Sequence, residues 1–510
     1  MTDGDGDLGE LLRRRALTED AARPDAVAQR HARGGRTARE NITDLIDPGS
    51  FVEYGRFALA AQRARRPVED LIARTPADGL VGGTATIECA PCAVLAYDAM
   101  VMAGTQGVVG HRKKDRLFDV IERLRLPTVF YAEGGGGRPS DTDVPAVSAL
   151  DVPAFALWAR LSGVVPRIAV VAGRCFAGNA VIAGCADLIV ATQGSSIGLG
   201  GPAMIEGGGL GAVAADEVGP APVQAANGVI DVLVADEAEA TVVPRRLLRS
   251  FRGPGPPGEA PDQAPLRDAV PELHRRAFAV RPIVDTLADA GSVTVLRERF
   301  APELLTALGS IEGRPVGFMA NDSRHMAGAI TSAAGDKAAR FLQLCDAFGI
   351  AVVSLVDTPG MMVGPEHEAT GLVRHCSRLL VAGAAMRVPL IGVVLRRGFG
   401  LGAQAMLAGG THEPVLTVAW PSAKLGPMGL EGAVRLALRR ELEAIEDEAE
   451  REARVRELTA MAEDNARAIN AAALFEIDDV IDPAETRGVI AATLRAAGET
   501  SWGGRFVDTW

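Results

Sequence analysis

The sequence predicts an α/β protein built from two tandem copies of one unit. Short apolar runs typical of buried strands alternate with helical patterns along most of the 510 residues. The segment Arg39 to Ser50 reappears in similar form as Arg281 to Ser292. Between the two copies, residues 252–261 are rich in glycine and proline and cannot form the interior of a helix or strand.

The order of predicted elements is the same in both copies. The first has apolar strand patterns at 127–131, 168–171 and 188–191, and the second has them at 351–356, 390–395 and 415–419. The charge-dense stretch 439–465 predicts one or two exposed helices, because Glu and Arg recur there at three- and four-residue spacings. We predict four segments: a helical N-terminal arm (1–40), an N-terminal domain (41–251), a linker (252–265) and a C-terminal domain (266–510).

Composition excludes several classes of function. The 53 Lys and Arg against 65 Asp and Glu give a net charge of −12, so the basic face needed for sequence-independent nucleic-acid binding is not expected. No apolar run approaches the ~18 residues of a membrane helix, and the N-terminus lacks the apolar core of a signal peptide. The 6 cysteines are too scattered for a disulfide framework. We therefore expect a cytoplasmic protein with no nucleic-acid or membrane partner.

Familiar catalytic signatures are missing. The glycines at 328–335 precede Asp336-Lys337-Ala338, which is the wrong spacing for a P-loop. Cys89 and Cys92 have no second pair, and no metal site is expected. What remains is two glycine-rich strand-to-helix turns in each half. Such turns can present backbone amides and a helix dipole to a developing oxyanion. Tight packing is the better explanation of any single turn, but four turns in matching positions shift the balance toward a function.

The motifs at these turns identify a family resemblance. The chain resembles the carboxyltransferase (β) subunits of biotin-dependent acyl-CoA carboxylases of the propionyl-/acetyl-CoA type, over about residues 36 to 495. The resemblance implies two tandem crotonase-like (ClpP/crotonase) domains with added helices, assembled as a homo-hexamer, a trimer of dimers. The segments that carry it are 134–138, 178–180, 227–231, 320–321, 337–341, 345–348, 357–360, 368–371, 420–421, 428–429 and 478–483.

The resemblance also implies a reaction. A carboxyl group would pass from carboxybiotin, held on a separate carrier protein or domain, to the α-carbon of a short acyl-CoA. The amides of Gly135 and Gly136 would hold the thioester oxyanion, and those of Leu401 and Gly402 would hold the ureido oxygen of biotin. The base would be biotin's own nitrogen, which explains why no histidine or carboxylate dyad is required.

Other residues acquire roles by the same resemblance. Gln404 stands where acyl-chain choice is set, and a polar amide there suits a short or polar acyl group. We predict a biotin-side set consisting of Gly360, Gly400 and Ala403. We also predict a CoA-binding set, although a solvated basic turn explains its cations equally well; the set is Arg112, Lys113, Lys114, Gly137, Arg138, Gly178 and Asn179.

The lysines decide what the chain itself carries. Biotin is attached to a lysine flanked by methionines, and none of Lys113, Lys114, Lys337 and Lys424 has a methionine neighbour. We therefore expect a biotin carboxylase and a biotin carboxyl carrier protein or domain as partners. Two alternatives stay open: a decarboxylase that uses the same enolate chemistry, and a non-catalytic assembly subunit. Acetyl- and propionyl-CoA are the leading substrates, with a branched acyl-CoA also compatible.

Overall fold

The computed structural model describes residues 6–144, 150–273, 276–498 and 504–510. The chain divides into two compact units, with the boundary after Leu248 and with residues 504–509 belonging to the first unit. Residues 253–263, inside the predicted linker, have no helix or strand. No helix in these described ranges combines the length and the apolar character needed to cross a membrane.

The first unit is built on a seven-stranded sheet in the order β1-β2-β3-β4-β5-β7-β9, while β6 pairs with β8. β1 to β3 pair antiparallel, and the remaining pairs are parallel. The strands are β1 (Val52–Glu53), β2 (Leu80–Ile87), β3 (Ala90–Tyr97), β4 (Thr128–Tyr131), β5 (Arg167–Val171), β6 (Arg174–Phe176), β7 (Leu188–Thr192), β8 (Ser196–Gly198) and β9 (Val232–Val234). The helices are α1 (Asp7–Ala16), α2 (Pro24–Ala32), α3 (Ala38–Leu45), α4 (Val68–Arg74), α5 (Val108–Leu124), α6 (Ala154–Arg160), α7 (Gly178–Gly184), α8 (Pro202–Gly207), α9 (Ala221–Ala226) and α10 (Glu237–Arg249).

The second unit repeats this plan. Its main sheet has the order β10-β11-β12-β13-β14-β15-β17, with β16 paired to β14. The strands are β10 (Thr294–Leu296), β11 (Leu304–Ile311), β12 (Arg314–Asn321), β13 (Ala351–Thr358), β14 (Leu390–Phe399), β15 (Leu416–Ala419), β16 (Lys424–Gly426) and β17 (Asp479–Val480). The helices are α11 (Arg281–Leu287), α12 (Ser332–Ala347), α13 (Pro365–Glu368), α14 (Leu372–Ala384), α15 (Gly400–Met406), α16 (Leu430–Ala437), α17 (Arg439–Glu443), α18 (Glu448–Asn465), α19 (Ala468–Ala473) and α20 (Thr486–Ala497).

The strand and helix predictions are confirmed at the elements that matter for the site. All six apolar strand patterns correspond to strands (β4, β5, β7, β13, β14 and β15), and the charge-dense stretch forms α17 and α18. The buried residues of β4, β5 and β7 are almost continuous, as expected for parallel strands covered on both faces.

The internal repeat extends to single residues. Asp47 accepts hydrogen bonds from the turn between β2 and β3, and Asp289 does the same for the turn between β11 and β12. The tripeptide Met-Ala-Gly follows β3 at 102–104 and follows β12 at 326–328, with positive φ at all three positions in both places. The two units therefore share one backbone plan, and a side chain that occurs in one unit alone is not required by that plan.

Candidate active site at two strand-to-helix turns

In the first unit, residues 134–138 form a loop that follows β4, which we call the glycine loop. Gly134 pairs with Cys175 on one side, and Gly137 pairs with Gln106 on the other. Gly136 has a φ of 90°, and a Cβ there would lie 2.7 Å from the Cβ of Ala177, directly before α7. Only glycine fits this backbone conformation and this close approach.

The amides that the sequence assigned to the thioester oxyanion already have acceptors within the protein. The Gly135 amide donates to the carbonyl of Ala103 at 3.2 Å, and the Gly136 amide donates to Oδ1 of Asn179 at 3.1 Å. In contrast, the amides of Gly137 and of Gly178, the first residue of α7, have no acceptor among the described residues. The sequence could not show which amides of the loop are free, because the acceptors of the other two, Ala103 and Asn179, come from other segments of the chain.

Asn179 is the side chain that holds the glycine loop in place. It is fully buried. Its Oδ1 also accepts from Nε2 of Gln106 at 3.0 Å, and its Nδ2 lies 3.4 Å from the carbonyls of Gly104 and Glu133. Asn179 was assigned to CoA binding by resemblance; the structure places it behind the loop, where it orients the backbone that a substrate would meet.

The cations of the predicted CoA set lie in three different environments. Arg112 is exposed on α5. Lys113 and Lys114 are buried, and the Lys113 ammonium donates to the carbonyls of Leu80 and Gly55. Burial lowers the pKa of Lys113 to about 8 and that of Lys114 to about 7. Two enclosed amino groups with internal partners do not form a phosphate-binding surface, so the structure does not support the predicted CoA contact for either lysine.

Arg138 is buried as well and pairs with Asp78, which also accepts a hydrogen bond from the amide of Gly110 at 2.6 Å. Burial raises the pKa of Asp78 even though the guanidinium of Arg138 and the amide of Gly110 oppose that shift. This ion pair fastens the end of the glycine loop to the first turn of α5. No local sequence signal indicated that Asp78 is the partner of Arg138.

In the second unit, the turn equivalent to the start of α7 leads from β14 into α15. Gly400 has a φ of 58°, and the amides of Leu401 and Gly402 in the first turn have no acceptor within the described ranges. A Cβ at Gly402 would lie 2.5 Å from the carbonyl carbon of Gly360, which follows β13. Ala403 packs inward and the side chain of Leu401 is exposed. The predicted pair of free amides is therefore present here, while the oxyanion role remains a proposal.

A buried ion cluster supports this second turn. Asp357, at the end of β13, is paired with Arg396 and Arg397 at the end of β14. Burial alone would raise the pKa of Asp357, but hydrogen bonds from Arg397 and Arg396 hold it below its usual value. The cluster ties the two strand ends that carry Gly360 and Gly402, and nothing in the local spacing pointed to it.

A cavity of about 850 Å³ opens beside α15. Gln404 and Gly400 line it. The rest of the wall includes six large apolar residues and five polar ones: Leu401, Leu407, Leu425, Leu430, Leu474 and Phe475, and Thr411, His412, Asn465, Asn470 and Glu476. This volume lies in the range of pockets that hold drug-sized ligands. Within the described part of the chain, no group of three His, Cys, Asp or Glu side chains is placed to hold a metal ion.

Comparison with known proteins identifies the family and the fold. The family described as Carboxyl transferase domain matches residues 29–503. The chain belongs to this family. The family, the tandem crotonase-like fold class and the assignment as a carboxyltransferase enzyme are thereby confirmed.

Two relatives show how much of this carboxyl transferase is similar to known proteins. The methylmalonyl-CoA carboxyltransferase 12S subunit of Propionibacterium freudenreichii subsp. shermanii is 32% identical over 96% of this chain and 94% of its own length. The propionyl-CoA carboxylase beta chain of Saccharopolyspora erythraea is 32% identical over 96% of this chain and 92% of its own. Neither name favours the decarboxylase or the non-catalytic alternative.

Two solved structures share the fold. The transcarboxylase 12S hexamer, crystallised with methylmalonyl-coenzyme A and methylmalonic acid, superposes with a TM-score of 0.86 at 31% identity, covering 98% of this chain and 97% of that one. A single-chain, multi-domain long-chain acyl-CoA carboxylase gives a TM-score of 0.92 at 50% identity over 96% of this chain. This chain spans only 49% of the length of that carboxylase.

Proposed function

We propose that this carboxyl transferase moves a carboxyl group from carboxybiotin, carried on a separate protein or domain, to the α-carbon of an acyl-CoA. The observation that carries the proposal is the pair of equivalent helix starts, α7 in the first unit and α15 in the second, with amides that have no acceptor among the described residues. In the first unit these are the amide of Gly178 and, in the glycine loop, that of Gly137; in the second unit they are those of Leu401 and Gly402. Hydrogen-bond donors that are fixed before the reaction stabilise an oxyanion because no reorganisation is needed when its charge develops.

The two turns take different oxygens. In the first unit, the free amides of Gly137 and Gly178 are available to the enolate oxygen of the thioester. Using Gly135 or Gly136 instead would require breaking their bonds to Ala103 and Asn179. In the second unit, Leu401 and Gly402 face the ureido oxygen. When bound, carboxybiotin supplies CO2 and leaves a ureido nitrogen that accepts the α-proton, so this chain need not provide a side-chain base.

We also propose that the acyl group can be longer than propionyl. The cavity beside α15 is lined mainly by apolar surface, and its volume leaves room for an acyl chain of more than three carbons beside the ureido group that Leu401 and Gly402 would hold. Gln404 is exposed on its wall, so the polar amide does not close the cavity. This extends the expectation of a short acyl group that the polar character of Gln404 suggested.

The partners follow from the same reaction. A biotin carboxylase and a biotin carboxyl carrier protein or domain would complete the cycle, and the 12S hexamer makes a homo-hexamer the proposed assembly. The six cysteines are free, which fits the cytoplasmic location expected from the sequence.

The reverse half-reaction tests the proposal without the natural carrier. The purified chain is incubated with free biotin and with malonyl-CoA or methylmalonyl-CoA, and the acyl-CoA product is followed by chromatography. Biotin-dependent loss of the carboxyl group is expected. Equal loss without biotin would identify a decarboxylase instead, and no loss under either condition would argue for a non-catalytic subunit.

A further inference from the structure

Lys114 is a buried cation next to the glycine loop that the reaction chemistry leaves without a role. Its side chain is 0% exposed, and its ammonium lies 5.7 Å from the ring centres of both Tyr97 and Phe155. The hydrogen-bond acceptor that the structure shows for this ammonium is Oε1 of Gln106. A buried lysine is costly to fold around, so a cation retained here needs an explanation.

Gln106 connects Lys114 to the glycine loop. Its Nε2 donates to Oδ1 of Asn179 at 3.0 Å, and the same oxygen accepts from the amide of Gly136 at 3.1 Å. The backbone of Gln106 also touches the loop, because its amide donates to the carbonyl of Gly136 at 2.7 Å. One continuous hydrogen-bonded path therefore runs from the ammonium to the loop backbone.

The second unit shows which parts of this path the fold itself requires. Lys337 follows Lys113 at the same interval at which the second Met-Ala-Gly turn follows the first, so the two lysines occupy equivalent positions. Both donate to backbone carbonyls near the start of a β-hairpin. They are the shared structural lysine of the repeat. At the position equivalent to Lys114, the second unit has Ala338.

The rest of the path is missing from the second unit too. The position equivalent to Gln106 is Ile330, which pairs with the loop after β13 as Gln106 pairs with the glycine loop. Asn179 lies two residues after Ala177, and Gly402 lies two residues after Gly400. Ala177 and Gly400 both have a positive φ at the start of the helix, so the position equivalent to Asn179 is Gly402. The repeated backbone thus forms without these three polar side chains, and the first unit alone carries them.

We propose that Lys114 is a positioning residue that fixes the glycine loop through Gln106 and Asn179. The lysine side chain can donate to this oxygen whether it is charged or neutral, and the charged form can only donate, so Lys114 favours the orientation in which Gln106 presents its oxygen. The NH2 group of Gln106 is then left for Asn179, whose oxygen stays directed at the amide of Gly136. This places the neighbouring free amide of Gly137 where the thioester oxygen is held. The inference rests on the proposed carboxyl transfer.

Three variants test it in the biotin-dependent assay with malonyl-CoA. Lys114→Met removes the charge with little change in volume. Gln106→Glu keeps a partner for Lys114 but cannot donate to Asn179, so it cuts the path without leaving the ammonium unpaired. Lys337→Met is the matched control, because Lys337 is equally enclosed, at 2% exposed, and its partners among the described residues are the backbone carbonyls of Phe300 and Ala301.

We expect both path variants to lower kcat by at least about tenfold with KM changed less than about threefold, since the loop acts mainly in the transition state. The double variant should lose no more than the worse single variant, because both changes break one path. Lys337→Met should keep kcat within about twofold. Size-exclusion chromatography and the Tm report folding, and Gln106→Glu provides the test if Lys114→Met does not fold.

A Gln106→Glu variant with normal kcat would overturn the proposal, as would losses that multiply in the double variant. These outcomes differ from failure of the proposed function, in which the wild-type chain itself shows no biotin-dependent activity.

Discussion

Gly402 lies against Gly360 so closely that a Cβ added to Gly402 would sit 2.5 Å from the carbonyl carbon of Gly360. The first turn of α15 therefore begins in direct contact with the loop that follows β13. In the first unit, Gly136 lies similarly close to Ala177, but there the glycine belongs to the loop and the alanine to the start of the helix. In both units, close approach of a loop and a helix start fixes where the free amides point.

Gly402→Ala should separate α15 from the loop that follows β13. Contacts under 3.0 Å with the backbone of Gly360 cannot be relieved by rotating a side chain, so the helix start must shift. Losing one well-placed oxyanion donor typically costs about 10²–10³ in rate, and we expect kcat for biotin-dependent transfer to fall by that order. Gly410→Ala is the control, since a Cβ there meets nothing within 4 Å. Equal activity in the two variants would contradict the assignment of this turn.

Asn179→Ala should loosen the glycine loop. The variant leaves the amide of Gly136 and the NH2 group of Gln106 without their shared acceptor, and each buried donor that loses its acceptor costs about 1–3 kcal/mol. We expect a lower Tm together with a drop in kcat. Gly184→Ala, on the same helix with nothing within 4 Å, should change neither. A normal kcat in Asn179→Ala would show that the loop holds its shape without this side chain.

The sequence was enough to predict the strands, the duplicated plan and the four turns, because each depends on a local pattern. It was not enough to tell which amides are free. Gly135 and Gly136 look like the donors in the linear motif, but their acceptors, Ala103 and Asn179, come from other segments of the chain. That alignment is a tertiary property with no local signal.

The two buried lysines of α5 are a different case, since a signal was present. Lys114 precedes Leu117, Phe118 and Ile121 by three, four and seven residues. Lys113 precedes Leu117 and Ile121 by four and eight, so all five lie on one helix face. The structure buries that whole face. Helical spacing therefore predicts burial here, while the run of neighbouring charges suggested a solvated turn.

Gln404→Leu should change the choice of acyl group. Gln404 lies on the wall of the cavity beside α15, and replacing its amide with an isobutyl group removes a polar group that a long acyl chain would have to desolvate. We expect the ratio of kcat/KM for a long acyl-CoA over acetyl-CoA to rise by about 10-fold, within the 1–3 kcal/mol that pocket changes typically produce. A panel of acyl-CoA esters of increasing chain length measures this ratio. An unchanged ratio across the panel would place the acyl chain elsewhere.

Stability should rise with pH from about 7 to about 9 because of the buried lysines. Burial lowers the pKa of Lys114 and of Lys337 to about 7 and that of Lys113 to about 8, while the unfolded chain keeps the ordinary value of 10.5. Between those values the unfolded state binds more protons than the folded state, so raising the pH favours folding. Each lysine contributes up to about 1.4 kcal/mol per pH unit in this window.

The rise should become less steep above about pH 9, where the cysteines act in the opposite direction. Burial raises the pKa of the Cys175 and Cys345 thiols well above the ordinary value of 9.0, so only the unfolded chain ionises them there. The midpoint of urea unfolding at pH 7, 8 and 9 measures the effect, and Lys337→Met should reduce its slope by about the contribution of one lysine. A midpoint that falls steadily from pH 7 to 8.5 would mean that these ammonium groups are hydrated in the folded protein, because exclusion from water is the largest cause of their lowered pKa.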